Sequence, residues 1–443
     1  MSEYMSHSIF GALLLMPCNG KSKVLLVGLE FVDPLFSGNG ILTHSVVRAL
    51  LLIGYDVVVL CARPEGTTHH VRDFKDYLSS GQLTVYSVPV PVANWKRLDR
   101  YSAWEALAKK ACPMIESHPT LNGTLGTFQY ILGVDWSSMP TVAALQQRNL
   151  LTGPCTLINL VFRVFSRSRE LLTSQEDITF YRERELHAID VSSTTFVLSH
   201  VDQTELVTLC KSRNVSTGIS HPIPPFHILM PPLREDMLEI TKTLSASSED
   251  APPRKYLICN VRCSPEKNAL MFAHIMTKLS KLGILKKMNL TPLMLGTNCD
   301  NTYAAQVQSA SPTEMVVIDA FLSPHKVLEY MKEAVLLIHP PVYDAYGMII
   351  AEAAAVGTPS IIHQQYIGAS SLFRSDYHEV LTTDMSCVEK AAQCMVDVLS
   401  NAALLAKVST NAKKRALEWT TLDYANKMHQ QLEPGTIITI PRD

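Results

Sequence analysis

The chain has no surplus of positive charge. Its 39 Lys and Arg against 41 Asp and Glu leave a formal net charge of −2. Nothing is in excess to neutralise a phosphate backbone, so no nucleic-acid partner is expected. A cysteine pattern is missing as well: the 10 cysteines form no CxxC pair and repeat at no spacing. Several lie inside apolar runs, as Cys61 does after 57–60 and Cys259 within 256–261. Reduced core thiols are distributed in this way, and a cytoplasmic setting is the expectation. Long apolar runs are scarce. The stretch 9–16 has no basic segment before it and falls far short of the roughly 20 residues of a spanning helix. We read 1–20 as a leader that is disordered or packed on the surface; a signal peptide or contact with a membrane surface is the other reading.

Several catalytic signatures are absent too. There is no nucleophile elbow, Walker loop or zincin motif, and no histidine or cysteine has partners at ligand spacing, so no metal is expected. A dinucleotide fingerprint would place its glycines directly after the first strand, with a third two residues beyond the second. Here Gly38 comes ten residues after Gly28, and Thr43 stands beyond Gly40. Hydride transfer is disfavoured.

What is present is an alternation of short apolar runs and amphipathic stretches. Strands are expected at 23–28, 55–61, 83–88, 128–132, 155–160 and 195–198, with a first helix at 41–53. A polar, Pro-rich stretch ends at 253 and reads as a linker, 241–253. Beyond it the alternation resumes at 256–261, 292–296, 316–320, 335–339 and 360–362. The fold class is α/β, with two doubly wound halves meeting at a cleft, and ligands in such sheets sit at the carboxyl ends of strands. The 443 residues suffice for two or three domains.

One carboxylate looks misplaced. Residues 348–356 read as a helix stopped by Gly357 and Pro359. Glu352 lies in its middle, and its neighbours at helical spacing are Met348, Ile349, Ala355 and Val356. No polar face carries it into water, and an unpaired buried carboxylate costs several kcal/mol, roughly. Asp344 stands eight residues earlier, before the Tyr346-Gly347 corner where the helix begins. It would look into the same space as the open amides of Gly347, Met348 and Ile349. Either Glu352 bonds only to backbone, or a ligand with vicinal hydroxyls and a nearby phosphate satisfies both acids. The second reading is preferred.

The second half opens with Arg262 at a strand's carboxyl end, Ser264 able to cap, Pro265, and Lys267 in what reads as a first helical turn. A cation there opposes the helix dipole unless an anion binds. Two solvated basic residues are the plainer alternative. In the first half, Gly38 and Gly40 sit between strand and helix, where amides can approach a phosphate or sugar; an ordinary turn is as good a reading. Arg163, Arg167 and Arg169 follow a strand end and could meet an anionic acceptor or stand solvated. Asp135 could contact an acceptor or cap the helix after Ser137.

The acid-x7-acid arrangement of Asp344 and Glu352, with Gly347 and the Ala353, Ala354, Gly357, Pro359 tail, resembles the signature of retaining glycosyltransferases of the GT-B fold. The resemblance is to glycosyltransferase family 4, the glycosyl transferases group 1, and spans roughly 23–432. It implies that Asp344 contacts the donor sugar and Glu352 the ribose. The segment 256–267 is similar to that family's Gly-Arg-x-x-x-x-Lys stretch, which gives Arg262 and Lys267 the pyrophosphate. Gly38 and Gly40 resemble its glycine loop facing donor phosphate and acceptor. The implied organisation is an N-terminal, acceptor-side Rossmann-like domain at 21–240 and a nucleotide-sugar domain at 254–414. The segment 415–443 would carry a helix crossing back to the first domain. The implied reaction is metal-independent hexose transfer, with retention, from a UDP- or GDP-sugar to an acceptor hydroxyl on a glycan, lipid or small molecule. Two departures stand out: Asp replaces the usual Glu at 344, and no His occupies the loop after 161. They favour the alternative, a non-catalytic GT-B protein that binds a nucleotide sugar or a protein partner, whereas the retained Glu352, Arg262 and Lys267 oppose it, and the enzyme is the preferred reading.

Overall fold

The computed structural model describes residues 22–434 apart from 34, 36, 69, 72, 92–102, 168–173, 247–252 and 297–300. The leader 1–20, Arg169 and most of the polar stretch before 253 lie outside the described residues.

Seven strands build the first sheet: β1 (Lys23–Gly28), β2 (Asp56–Pro64), β3 (Leu83–Val90), β4 (Tyr130–Val134), β5 (Thr156–Val161), β6 (Thr194–Val197) and β7 (Phe226–Ile228). Their order is β3-β2-β1-β4-β5-β6-β7, parallel throughout. The second sheet holds β8 (Tyr256–Asn260), β9 (Thr291–Leu295), β10 (Val316–Ile318), β11 (Ala334–His339), β12 (Ser360–His363) and β13 (Leu381–Thr383). Its order is β10-β9-β8-β11-β12-β13, also parallel. Strands such as β1 are continuous apolar runs because helices cover both faces of a parallel sheet. The two doubly wound halves expected from the sequence are therefore both present, and they face each other across a cleft at the carboxyl ends of β1 and β8.

Three local differences separate the structure from the sequence reading. The first helix begins earlier, at Gly38–Leu52, capped by Ser37, whose hydroxyl accepts from the Asn39 amide. Gly38 and Gly40 are thus its first turn and not a loop. Pro265–Lys267 is a short 3-10 turn, and the α-helix starts only at Ala269–Lys281. Residues 241–246 of the stretch read as a linker are the last turns of the helix Glu235–Ala246.

The last helix, Thr421–Leu432, opens with a capping box between Thr420 and Asp423. Tyr424, Ala425, Met428 and Leu432 join the core formed by β1, β2 and the helix Gly38–Leu52. The Tyr55 hydroxyl donates to Glu433 at 2.9 Å, and the Tyr130 hydroxyl donates to the Leu432 carbonyl at 3.1 Å. The helix Thr421–Leu432 is therefore part of the first domain's core.

Candidate active site

The C-terminal wall of the cleft is a loop pinned between two strands. After β11 the chain runs through Tyr343 and Asp344 to Gly347, which takes φ +76° and starts the helix Met348–Ala355. A side chain at 347 would be strained by that backbone and would meet Ile350 at 2.9 Å. From below, the Gly368 amide donates to the Asp344 carbonyl at 2.7 Å, and the Asp344 amide to the Tyr366 carbonyl at 3.1 Å. The packing is so close that a Cβ on Gly368 would stand 1.7 Å from the Ala345 carbonyl oxygen.

This loop aims two acids differently. Asp344 Oδ2 lies 2.8 Å from Lys267 Nζ and 3.2 Å from His339 Nε2. The histidine contact is too poorly directed to be a full hydrogen bond. Burial works against ionisation of Asp344, but Lys267 and then His339 outweigh it and hold the carboxyl well below the usual range. Glu352 is only 8 % exposed and makes no hydrogen bond among the described residues. Burial pushes its carboxyl up to about 7, against the pull of Arg234. That arginine is itself held by both oxygens of Asp236. The buried acid without a partner, expected from the helix pattern, is there.

At the end of β8, Arg262 Nη2 donates to Glu266 at 2.6 Å, and Arg163 of the first domain reaches the same carboxylate at 3.5 Å. Glu266 thus bridges the two domains across the cleft. Ser264 makes no capping bond, and its hydroxyl has no partner. Asn268 takes φ +54° between the turn and the following helix and donates to the Pro340 carbonyl at 3.1 Å, which fixes Lys267 beside Asp344.

On the N-terminal wall, Gly38 packs near Met348, while Gly40 is buried against Leu35 and Glu30. Glu30 accepts from the Ser37 hydroxyl at 2.5 Å and the Ser37 amide at 3.2 Å. Asp135 lies behind this wall, 2 % exposed. Its oxygens accept from Asn39 Nδ2 and the Phe162 amide, both at 2.8 Å, and it caps nothing. Burial pushes it up to about 7 despite those bonds. Tyr343 ties the walls together: its hydroxyl donates to Asp202 at 3.0 Å and accepts from the Val164 amide at 3.3 Å. Arg167 stacks over the rings of Tyr343 and Tyr366.

The cleft has a volume of about 500 Å³. Of the residues singled out in the sequence, Asp344, Glu352, Arg262, Lys267, Gly347, Met348, Ile349, Gly38 and Arg163 line it, whereas Gly40 and Asp135 stand behind its walls. Glu266, His339, Tyr343, Asn39 and Glu30 also line it, and the sequence alone does not single them out. Only Glu266 carried a local signal, lying four residues from Arg262 beside Lys267. Among the described residues no group of three or more His, Cys, Asp or Glu is arranged to hold a metal ion.

Comparison with known proteins places this geometry. Residues 241–415 match the family Glycosyl transferases group 1. No curated protein matches the chain. Sucrose-phosphate synthase from Thermosynechococcus elongatus is similar in structure, with TM-score 0.67, 13% identity, and coverage of 93% of this chain and 98% of that one. So is an α,α-trehalose-phosphate synthase (UDP-forming) from Burkholderia xenovorans in complex with glucose-6-phosphate, with TM-score 0.67, 11% identity and coverage of 94% and 100%. The Anabaena protein HepE, in complex with UDP and glucose, superposes with TM-score 0.62 at 12% identity, covering 93% and 99%. At such identities the superpositions establish the fold alone. The chain is a glycosyltransferase of the GT-B fold, and its residues 241–415 match the glycosyl transferases group 1.

Proposed function

We propose that this glycosyltransferase moves a hexose from a UDP- or GDP-linked donor to an acceptor hydroxyl, with retention of anomeric configuration and without a metal ion. The observation that carries the reading is the convergence of Arg262, Lys267, the open amides after Gly347, Asp344 and Glu352 on one cleft. A nucleotide sugar runs from hexose through diphosphate to ribose, and the cleft offers a fixed carboxylate, cations and a carboxyl without a partner. UDP is the first nucleotide to test, since two of the similar structures are of proteins described with UDP.

In this reading Glu352 accepts from the ribose hydroxyls, which supplies the bonds it lacks. Asp344, kept anionic by Lys267, orients the hexose. The bond from the anomeric carbon to the diphosphate oxygen breaks, and its electron pair leaves with the nucleoside diphosphate. The acceptor oxygen forms the new bond on the same face and passes its proton to the departing oxygen. Arg262, Lys267 and the helix amides at 347–349 stabilise the charge that grows on the diphosphate. These fixed positive groups fill the role that a divalent cation would otherwise take. We extend the cytoplasmic reading of the sequence to the protein as well.

Calorimetry with UDP, GDP and their sugars, in the presence of a chelator, tests donor and metal together. Binding of one nucleotide diphosphate should persist in chelator, and hydrolysis of its sugar should release the hexose first as the anomer present in the donor. Binding that needs added metal, or release of the inverted anomer, overturns the corresponding part. Binding without any sugar release over days would favour a non-catalytic binder.

A further inference from the structure

Beside the main cleft, and sharing Glu30, Asn39 and Phe165 with it, lies a second cavity of about 100 Å³. Its other walls are Leu29, Thr43, Trp104, Val134, Trp136, Ser137 and Tyr181. Leu29, Val134, Trp136 and Ser137 come from the ends of β1 and β4, and Thr43, Trp104 and Tyr181 from neighbouring helices, on the N-terminal side of the cleft and opposite the residues assigned to the donor. The walls are unusually aromatic. Trp136 makes edge contacts with Trp104, Phe165, Phe180 and Tyr181, with ring centroids 5.4–5.8 Å apart. Interlocked rings of this kind hold a preformed shape.

Two features define what fits. The lining includes no lysine or arginine, so it offers a phosphate no cation to pair with. Trp136 is 6 % exposed, and its indole N–H finds no acceptor among the described residues. Buried indole N–H groups are ordinarily bonded, so this one invites a ligand oxygen. The volume is below that of an engineered apolar cavity of about 150 Å³ that takes benzene, and this one also opens toward the cleft. It therefore holds at most one compact ring, part of which lies in the cleft.

We propose that this cavity is the acceptor subsite, and that the acceptor is an uncharged alcohol or phenol carrying a compact aromatic group. The ring sits among Trp104, Trp136 and Tyr181, and the hydroxyl points past Glu30 and Asn39 into the cleft. The inference rests on the transferase reading above and narrows it: the glucose-6-phosphate in the similar Burkholderia structure is the opposite kind of molecule.

The test uses the full chain with nitrogen-labelled tryptophan, saturated with UDP and titrated with benzyl alcohol or with glucose 6-phosphate. The protein has 4 tryptophans, and the Trp136 signal is assigned by its loss in Trp136→Phe. Benzyl alcohol should shift that indole N–H, and glucose 6-phosphate should not. Ser137→Leu fills the cavity and should weaken benzyl alcohol binding about tenfold or more, roughly 1.4 kcal/mol, while UDP affinity stays unchanged. A titration that leaves the Trp136 signal in place, or one in which glucose 6-phosphate shifts it equally, overturns the proposal. So does undiminished binding in a folded Ser137→Leu; should that variant not fold, the wild-type titration decides. UDP affinity is read separately by calorimetry, so failure of the donor reading and failure of the aromatic subsite give different results.

Discussion

In the proposed site Glu352 would meet the ribose with a carboxyl that burial pushes up to about 7. Ribose hydroxyls donate to the ionised form and gain less from the protonated one. Affinity for a UDP-sugar, which has no terminal phosphate to titrate nearby, should therefore tighten as pH rises through 7. In Glu352→Gln the affinity should be weaker by roughly 1–3 kcal/mol and flat with pH. Calorimetry from pH 6 to 8 reads both, and a flat wild-type profile would take Glu352 out of the site. Asp344 makes the contrasting case. Asp344→Asn removes the counter-charge of Lys267, so UDP affinity should hold or rise while transfer falls about tenfold or more, roughly 1.4 kcal/mol in the barrier. A fall in UDP affinity would mean that the acid supports the phosphate site and not the sugar. Glu352 was legible in the sequence because helical spacing alone denied it a polar face. The partners of Asp344 were not. His339 ends β11, just before the loop, but nothing in the sequence turns its ring toward Asp344, and Lys267 comes from the 3-10 turn that replaces the expected helical one. Asp135 had two readings in the sequence; the bonds from Asn39 and Phe162, both distant in the chain, were invisible there.

At the scale of elements, the loop carrying Asp344 depends on a glycine in a different segment. Gly368→Ala would drive a methyl into the Ala345 carbonyl, at 1.7 Å without movement. The loop 343–346 must shift, at a cost of about 1–3 kcal/mol as for other overpacked sites. We expect a lower melting temperature together with loss of transfer larger than the loss of UDP affinity, because the shift moves Asp344 more than Arg262. Denaturation and steady-state kinetics on the same preparation check this, and unchanged kinetics would show the loop to be tolerant. The strands were legible as apolar runs because helices cover both faces of each sheet. The start of the first helix was not, since two glycines argue against helix until Ser37 is seen to cap it.

At the scale of the whole molecule, four carboxyls among the described residues are pushed up to about 7, mainly by burial: Asp135, Glu185, Asp202 and Glu352. Their unfolded values lie near 4, roughly. Each folded group prefers its proton, so the stability it contributes is full below pH 4 and is lost as pH rises through 7. Asp344 and Asp384 run the other way, but with lowered values they lose their contribution only in stronger acid. Burial lowers His44, His227 and His363, which offsets part of the slope below 6.5. We expect the ligand-free protein to lose stability between pH 5 and 7. Glu185→Gln isolates one term: its carbonyl still accepts from the Phe165 and Ser166 amides, which now meet Oε1 at 2.5 and 3.2 Å. Denaturation of this variant should show a shallower fall with pH, and an identical slope would remove Glu185 from the account.

The last helix carries a consequence for how the protein is made. Tyr424, Ala425, Met428 and Leu432 complete a core whose strands and first helix are synthesised at the other end of the chain. A ribosome that has finished β7 has released a sheet with an uncovered apolar groove beside the helix Gly38–Leu52, and almost the entire second domain must emerge before the plug arrives. During that interval the groove is available to chaperones or to neighbouring nascent chains. Translation speed through the second domain thus becomes a determinant of yield, although it changes no contact in the finished molecule.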